Sequence, residues 1–278
     1  NAFFGLMLDN IADLLLTVSL LALVFEFPAN FALQYMVPGT AIGVLVGDLL
    51  FTWMAFRVAR RLNRPTVTAM PLGLDTPSTF GMVFFVLGPS YMHAQFALGL
   101  SQHEAATYTW HIGIWSIVIS GLFKLACAGG SHWIRTVVPR AGLLGSLAGI
   151  ALVLISFLPL LEILHFPVVG FVALAIILTT LVSRIRLPGR VPGALGALLV
   201  SGIIYYAMQA TGTLGHVESS TVFDARDGLL PTGWLSAFQF EWFARFPDAV
   251  RYLPIVIPFA LATVVGGIDC TESAAAAG

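Results

Sequence analysis

Apolar residues run along this chain in long, nearly continuous stretches rather than short alternating ones. A membrane-crossing helix needs about 20 mostly apolar residues. That measure predicts spans near 5–27, 37–57, 66–90, 107–128, 141–161, 166–184, 192–211 and 252–275. Each break has a local cause. Pro28 with Asn30 ends the first span, and the Arg57, Arg60, Arg61, Arg64 run ends the second. Gly88-Pro89 closes the third, and Pro188, Gly189 and Pro192 part the sixth from the seventh. The period-2 alternation of a barrel strand is missing, so the backbone must bond within helices.

Composition agrees with the pattern. The 278 residues are 58% hydrophobic and 10% charged, with a mean hydropathy of +0.91. A soluble domain averages roughly 45–50% apolar and about 25% charged, so this chain reads as an all-α integral membrane protein. Nucleic-acid binding, disorder and a disulfide scaffold fit poorly with a net charge of −1 and two distant cysteines, Cys127 and Cys270, which read as free thiols. The sequence opens on Asn1 and stops at Gly278 inside apolar sequence, with no signal-peptide pattern, so a fragment of a longer chain is expected.

The bases set an expected orientation. Arg57, Arg60, Arg61, Arg64, Lys124, Arg135, Arg140, Arg184, Arg186 and Arg190 fall in or beside alternate connections, and only Arg226, Arg245 and Arg251 fall on the other side. The positive-inside rule then places the start of the chain and those basic connections in the cytoplasm, in a multi-pass protein of the cell inner (plasma) membrane. The longest connection, 212–251, lies outside, and its stretch from Trp234 to Phe243 reads as an amphipathic interfacial helix. Residues 132–140 read similarly on the inner face. Gly39, Gly43 and Gly47, and likewise Gly145 and Gly149, are spaced for close helix approach.

Carboxylates inside a bilayer are costly and are functional candidates by default. Asp9, Asp13, Glu26, Asp48, Asp75, Asp269 and Glu272 all fall within predicted spans, and no base lies deep in a span to pair with them. Such an interior suits protons, cations, or a neutral solute coupled to them. Asp9 and Asp13 share a helical face, with Asn10 beside them; Asp9 and Asn10 are the stronger pair. Glu26 reads as interfacial and Asp48 as a structural contact.

The third span is unusual, with Pro65, Pro71 and Pro77 at six-residue spacing and Gly73 and Asp75 between them. Each internal proline removes a backbone donor, so no regular helix can cover the stretch. Irregular backbone at membrane depth survives only against protein or a water-filled cavity, and transporters use it to face a substrate. In the last span Gly266-Gly267 precedes Asp269 and Glu272, which are three apart on one face. Counted from Tyr252 at 1.5 Å per residue, Glu272 comes roughly 30 Å along the helix.

Three segments together resemble the nucleobase–ascorbate transporters, the xanthine/uracil/vitamin C permease family. They are Asn1–Asp13 with its Leu-Asp-Asn, Thr68–Pro77, and Asp269-Cys-Thr-Glu-Ser-Ala-Ala-Ala-Ala-Gly278. The resemblance implies a fourteen-helix protein of two inverted seven-helix repeats, with a broken third helix that contains a short strand. Its division of this chain would be core helices one to four in 1–128, gate helices five to seven in 129–211, an extracytoplasmic connection in 212–251 and core helix eight in 252–278. It further implies that Leu74, Asp75 and Thr76 present backbone to a base, and that Glu272 accepts from a nucleobase ring N–H. Asp9-Asn10 stands where the family carries a Gln-His pair. Asp75 is an extra acid, and Asp269 rivals Glu272.

The expected function is secondary active transport of a nucleobase-like solute with H⁺ or Na⁺, without a cofactor. Substrate binding falls to Glu272, Asp269, Leu74, Asp75, Thr76, Asp9 and Asn10, and ion coupling to Asp269, Asp9 and Asp75. The expected partners are the lipid bilayer and a small molecule, with a homodimer as a candidate assembly and no nucleic acid. An anion transporter of the sulfate-permease or bicarbonate type is the alternative on the same fold. An intramembrane enzyme is remoter: Pro71-Leu-Gly-Leu-Asp75 replaces the Gly-x-Gly-Asp signature of aspartyl proteases. No His, Cys and Glu residues have metal-ligand spacing either.

Overall fold

The computed structural model describes residues 2–64, 67–70, 73–130, 152, 156–214 and 231–277. Among them every regular element is helical, and no strand occurs. In chain order they are α1 (Ala2–Phe25), α2 (Ala29–Leu62), α3 (76–97), α4 (Gln102–Ala128), α5 (Leu158–His165), α6 (Pro167–Val182), α7 (Gly193–Ala210) and α8 (Leu253–Ala277). Five described helical segments are long and apolar enough to cross a membrane, and the shorter α6 is apolar too. This is a multi-pass membrane protein. The predicted span 141–161, the segment 132–140 and Gly145 and Gly149 lie largely or wholly outside the described residues.

Proline shapes the helices in a way the span boundaries did not anticipate. Gly88-Pro89 does not close the third span; α3 runs through it to Ala97. Similarly, α2 begins at Ala29 rather than 37 and passes through Pro38. In both cases a π turn, 32–36 or 83–87, ends two residues before the proline. A proline cannot donate to the carbonyl four residues upstream. Widening the preceding turn absorbs this defect: the amides of Val37 and Gly88 reach back five residues, to the carbonyls of Ala32 and Val83. Helix α4 also starts earlier than predicted. Ser101 caps it, its side chain accepting from the Glu104 amide while the Glu104 carboxylate accepts from the Ser101 amide at 3.0 Å. That is a capping box readable from Ser-x-x-Glu.

The chain divides into two compact units, one of residues 13–148 and 223–278, the other of 1–12 and 149–222. In the larger unit, Leu21, Val83, Val86, Ala94, Ala105, Ala106 and Ile112 are fully buried, so α1, α3 and α4 supply the core. Two glycines make this possible. A Cβ at Gly88 would strike the Phe25 ring, and one at Gly81 the Phe259 ring. By contrast, no α-helical residue of Val37–Leu62 in α2 is buried, and Leu45, Leu49, Trp53 and Phe56 are exposed, as suits a face turned to lipid. The glycine stripe on α2 is correspondingly open: Gly43 has nothing within 4 Å, and Gly39 only a Trp234 ring atom at 4.0 Å.

The stretch from Trp234 to Phe243 departs from its expected form. It folds as two 3₁₀ segments, Gly233–Gln239 and Glu241–Arg245, not as an amphipathic α-helix. Phe238, Phe240 and Phe243 are exposed, but Trp242 is buried against Trp115 of α4, with ring centroids 4.9 Å apart. The Trp115 indole N–H donates to the Trp242 carbonyl at 2.7 Å. Packing against α4, rather than interfacial lodging alone, fixes this segment.

In the smaller unit α6 and α7 pack side by side, joined through Pro188–Arg190, where Gly189 takes a positive φ of 70°. Gly193 leaves room for Thr180 and Gly196 for Leu187.

Candidate functional site

The broken third span becomes helical only at Thr76, with Pro77 in the first turn, where a missing N–H costs nothing. Upstream, the described residues 67–70 and 73–75 form no helix, and Asp75 is extended at φ −89°, ψ 100°. Pro65 and Pro71 lie outside the described residues. Asp75 occupies the N-cap of α3 but does not cap the backbone with its side chain. Its carboxylate instead accepts from the Ser78 hydroxyl, three residues on, and from the Thr263 hydroxyl of α8 at 3.2 Å. The Ser78 and Thr263 oxygens are themselves 3.0 Å apart. Bonds of this kind to a carboxylate are each worth about 1.5–3 kcal/mol, more than neutral ones.

A second carboxylate joins one residue along. Thr76 donates to Asp13 Oδ2 at 3.0 Å, and Asp13 is buried in α1. Helix α8 touches the broken segment again through Thr271, whose hydroxyl lies 3.3 Å from the Met70 sulfur and bonds the Gly267 carbonyl at 2.7 Å. Thr263, Gly267 and Thr271 are each four apart, one stripe of α8 along the segment that carries Asp75. The structure thus joins α1, the break and α8 through hydroxyls and carboxylates.

The expected site residues fall as follows. Leu74, Asp75 and Thr76 stand together at the break, all half-buried. Asp9 is exposed, and Asn10, half-buried, donates to the Leu6 carbonyl at 3.0 Å. Both belong to the smaller unit, whereas Asp75 and Thr76 belong to the larger. Asp269 and Glu272 stand on α8 beyond Gly267, off the Thr263–Gly267–Thr271 stripe; their side chains lie outside the described residues. Glu26 is exposed and Asp48 half-buried.

Sequence reasoning passed over Ser78 and Thr263, and it ranked Asp13 below Asp9. The signal for Ser78 was its i+3 spacing from Asp75. For Thr263 it was a lone hydroxyl in an apolar helix, four residues before Gly267. Lys124, counted with the bases in or beside connections, is half-buried one turn before the end of α4. Among the described residues no group of three or more His, Cys, Asp or Glu could hold a metal ion. No family model, curated protein or solved structure matches the chain.

Proposed function

We propose that this protein is a secondary active transporter of the nucleobase–ascorbate type, moving a nucleobase-like solute with H⁺ or Na⁺ by alternating access. The observation that carries the reading is the break at Asp75, whose carboxylate is tied by hydroxyls to α8. A passive bundle gains nothing from a partly buried acid on irregular backbone at that position, because both features cost stability. A transporter uses them, since midplane sites are built where helices are interrupted.

In this reading the solute lies against the backbone of Leu74, Asp75 and Thr76. Glu272 accepts from a ring N–H through a charge-assisted hydrogen bond, and Asp269, Asp9 or Asp75 holds the coupling ion. Core helices in 1–128 and 252–278 move against gate helices in 129–211, with the start of the chain in the cytoplasm.

The test is uptake of radiolabelled xanthine and uracil into proteoliposomes under an imposed H⁺ or Na⁺ gradient. Glu272→Gln should abolish uptake while expression and insertion stay normal; normal uptake by that variant would sink the assignment. Gradient-driven sulfate or bicarbonate uptake, without nucleobase uptake, would instead favour the anion transporter.

A further inference from the structure

The arginine run does not end α2. The helix carries Arg57, Arg60 and Arg61 before it stops at Leu62, and Arg64 follows the left-handed turn at Asn63. All four are exposed, and the ion pair found among the described residues, Arg245 with Asp248, involves none of them. Between Asp48 and Asp75 the chain has no acid at all. Two ordinary reasons put bases at such an end: they complement the helix dipole and hold the end on one side of the membrane. Neither selects a face of the helix.

These arginines nevertheless share a face. Positions 46, 50, 53, 57 and 60 step by four and three, so Val46, Leu50, Trp53, Arg57 and Arg60 form one stripe, with Arg61 a turn beyond Arg57. The whole stripe is exposed. The Arg57 guanidinium lies over the Trp53 ring, 5.3 Å from its centroid, a cation–π contact that holds it at the level of the indole. Tryptophan itself settles where hydrocarbon meets headgroups. The helical segment Ala29–Leu62 has 34 residues. At 1.5 Å each that is roughly 51 Å, against a hydrocarbon core of about 30 Å, so its arginine turn reaches headgroup level.

We propose that the end of α2 is a binding site for an anionic phospholipid, with the phosphate held by Arg57, Arg60 and Arg61 and an acyl chain laid along Trp53, Leu50 and Val46. Guanidinium forks match phosphate oxygens, and residues one turn apart can grip a single phosphate from two sides. Charge complementarity selects the headgroup. A zwitterionic lipid brings a cation of its own to a cluster with no acid nearby, whereas an anionic one does not. The exposed stripe lets the lipid enter sideways from the bilayer. Nothing in this depends on the transporter reading.

The test is lipid titration of the purified protein in neutral detergent, followed by the thermal unfolding midpoint. Dioleoylphosphatidylglycerol is the probe, with dioleoylphosphatidylcholine and inorganic phosphate in parallel. Phosphatidylglycerol should raise the wild-type midpoint by several degrees, and the other two far less. The Arg57→Lys/Arg60→Lys/Arg61→Lys variant keeps every charge, and so its insertion, but loses the planar forks. Its half-saturating phosphatidylglycerol concentration should rise severalfold. Trp53→Leu, which keeps all the arginines, should raise it by a smaller factor. Arg184→Lys/Arg186→Lys, at exposed bases of the smaller unit, should leave it unchanged. Full phosphatidylglycerol affinity in the triple variant and in Trp53→Leu would overturn the site, and so would an equal loss in the Arg184/Arg186 variant. An equal gain from phosphatidylcholine would overturn the charge selection, and an equal gain from phosphate would overturn the lipid as ligand.

Discussion

Two regions of the larger unit are built from opposite materials. Around the first half of α4 the contacts are aromatic. Phe31 stacks on Tyr35 at 4.3 Å, Tyr35 meets Trp110 at 5.3 Å, and Trp115 meets Trp242 at 4.9 Å. Around the start of α3 the contacts are hydroxyl to carboxylate, through Thr76, Asp13, Ser78, Asp75 and Thr263. Burying aromatic surface stabilises a fold without needing exact partners. A polar network in a bilayer protein must satisfy every member, and it returns little net stability because desolvation offsets the bonds. The first region therefore holds the helices together, and on the transporter reading the second is kept for what it does.

That contrast breaks most easily at Trp242. Trp242→Ala empties a buried site and removes its contact with Trp115, so it should cost about 3–5 kcal/mol. Thermal unfolding in detergent reads the loss, and uptake per folded molecule should change little. If uptake failed while stability held, the aromatic region would be a working part instead. Gly88→Ala comes next, at about 1–3 kcal/mol, because the added methyl meets the Phe25 ring in an already filled core. Gly43→Ala is its control, since nothing lies within 4 Å there, and its midpoint should not fall.

Much of the helical layout was legible, for a simple reason. Span length is set by the bilayer, so apolar runs such as Gly193–Ala210 and Leu253–Ala277 announce themselves. Proline was harder to read. Pro65, Pro71 and Pro77 signalled broken backbone, and the described residues 67–70 and 73–75 form no helix. The identical logic misplaced an end at Gly88-Pro89, where a π turn repairs the missing bond and whether it will do so depends on packing. The acids stood out singly, but their grouping did not. Asp75 and Thr263 are 188 residues apart in sequence, and no local pattern links them.

The smallest effect on stability should accompany a large effect on transport. Asp75→Asn keeps the shape of the side chain and can still accept from Ser78 and Thr263, so unfolding should shift by only about 1 kcal/mol. If Asp75 is the acid that holds the coupling ion, uptake should nevertheless collapse, because the charge is what the ion would meet. Thr263→Val isolates the bond further. Its hydroxyl also bonds the Phe259 carbonyl at 2.9 Å, a carbonyl whose helical partner remains, so valine leaves no new orphan on α8. Asp75 keeps Ser78 as a donor. Thr263→Val should thus unfold within about 1 kcal/mol of wild type, while the concentration of coupling ion needed for half-maximal uptake rises severalfold. A midpoint loss as deep as that of Trp242→Ala, with ion dependence unchanged, would make the hydroxyl network structural. The two regions would then differ in chemistry but not in role.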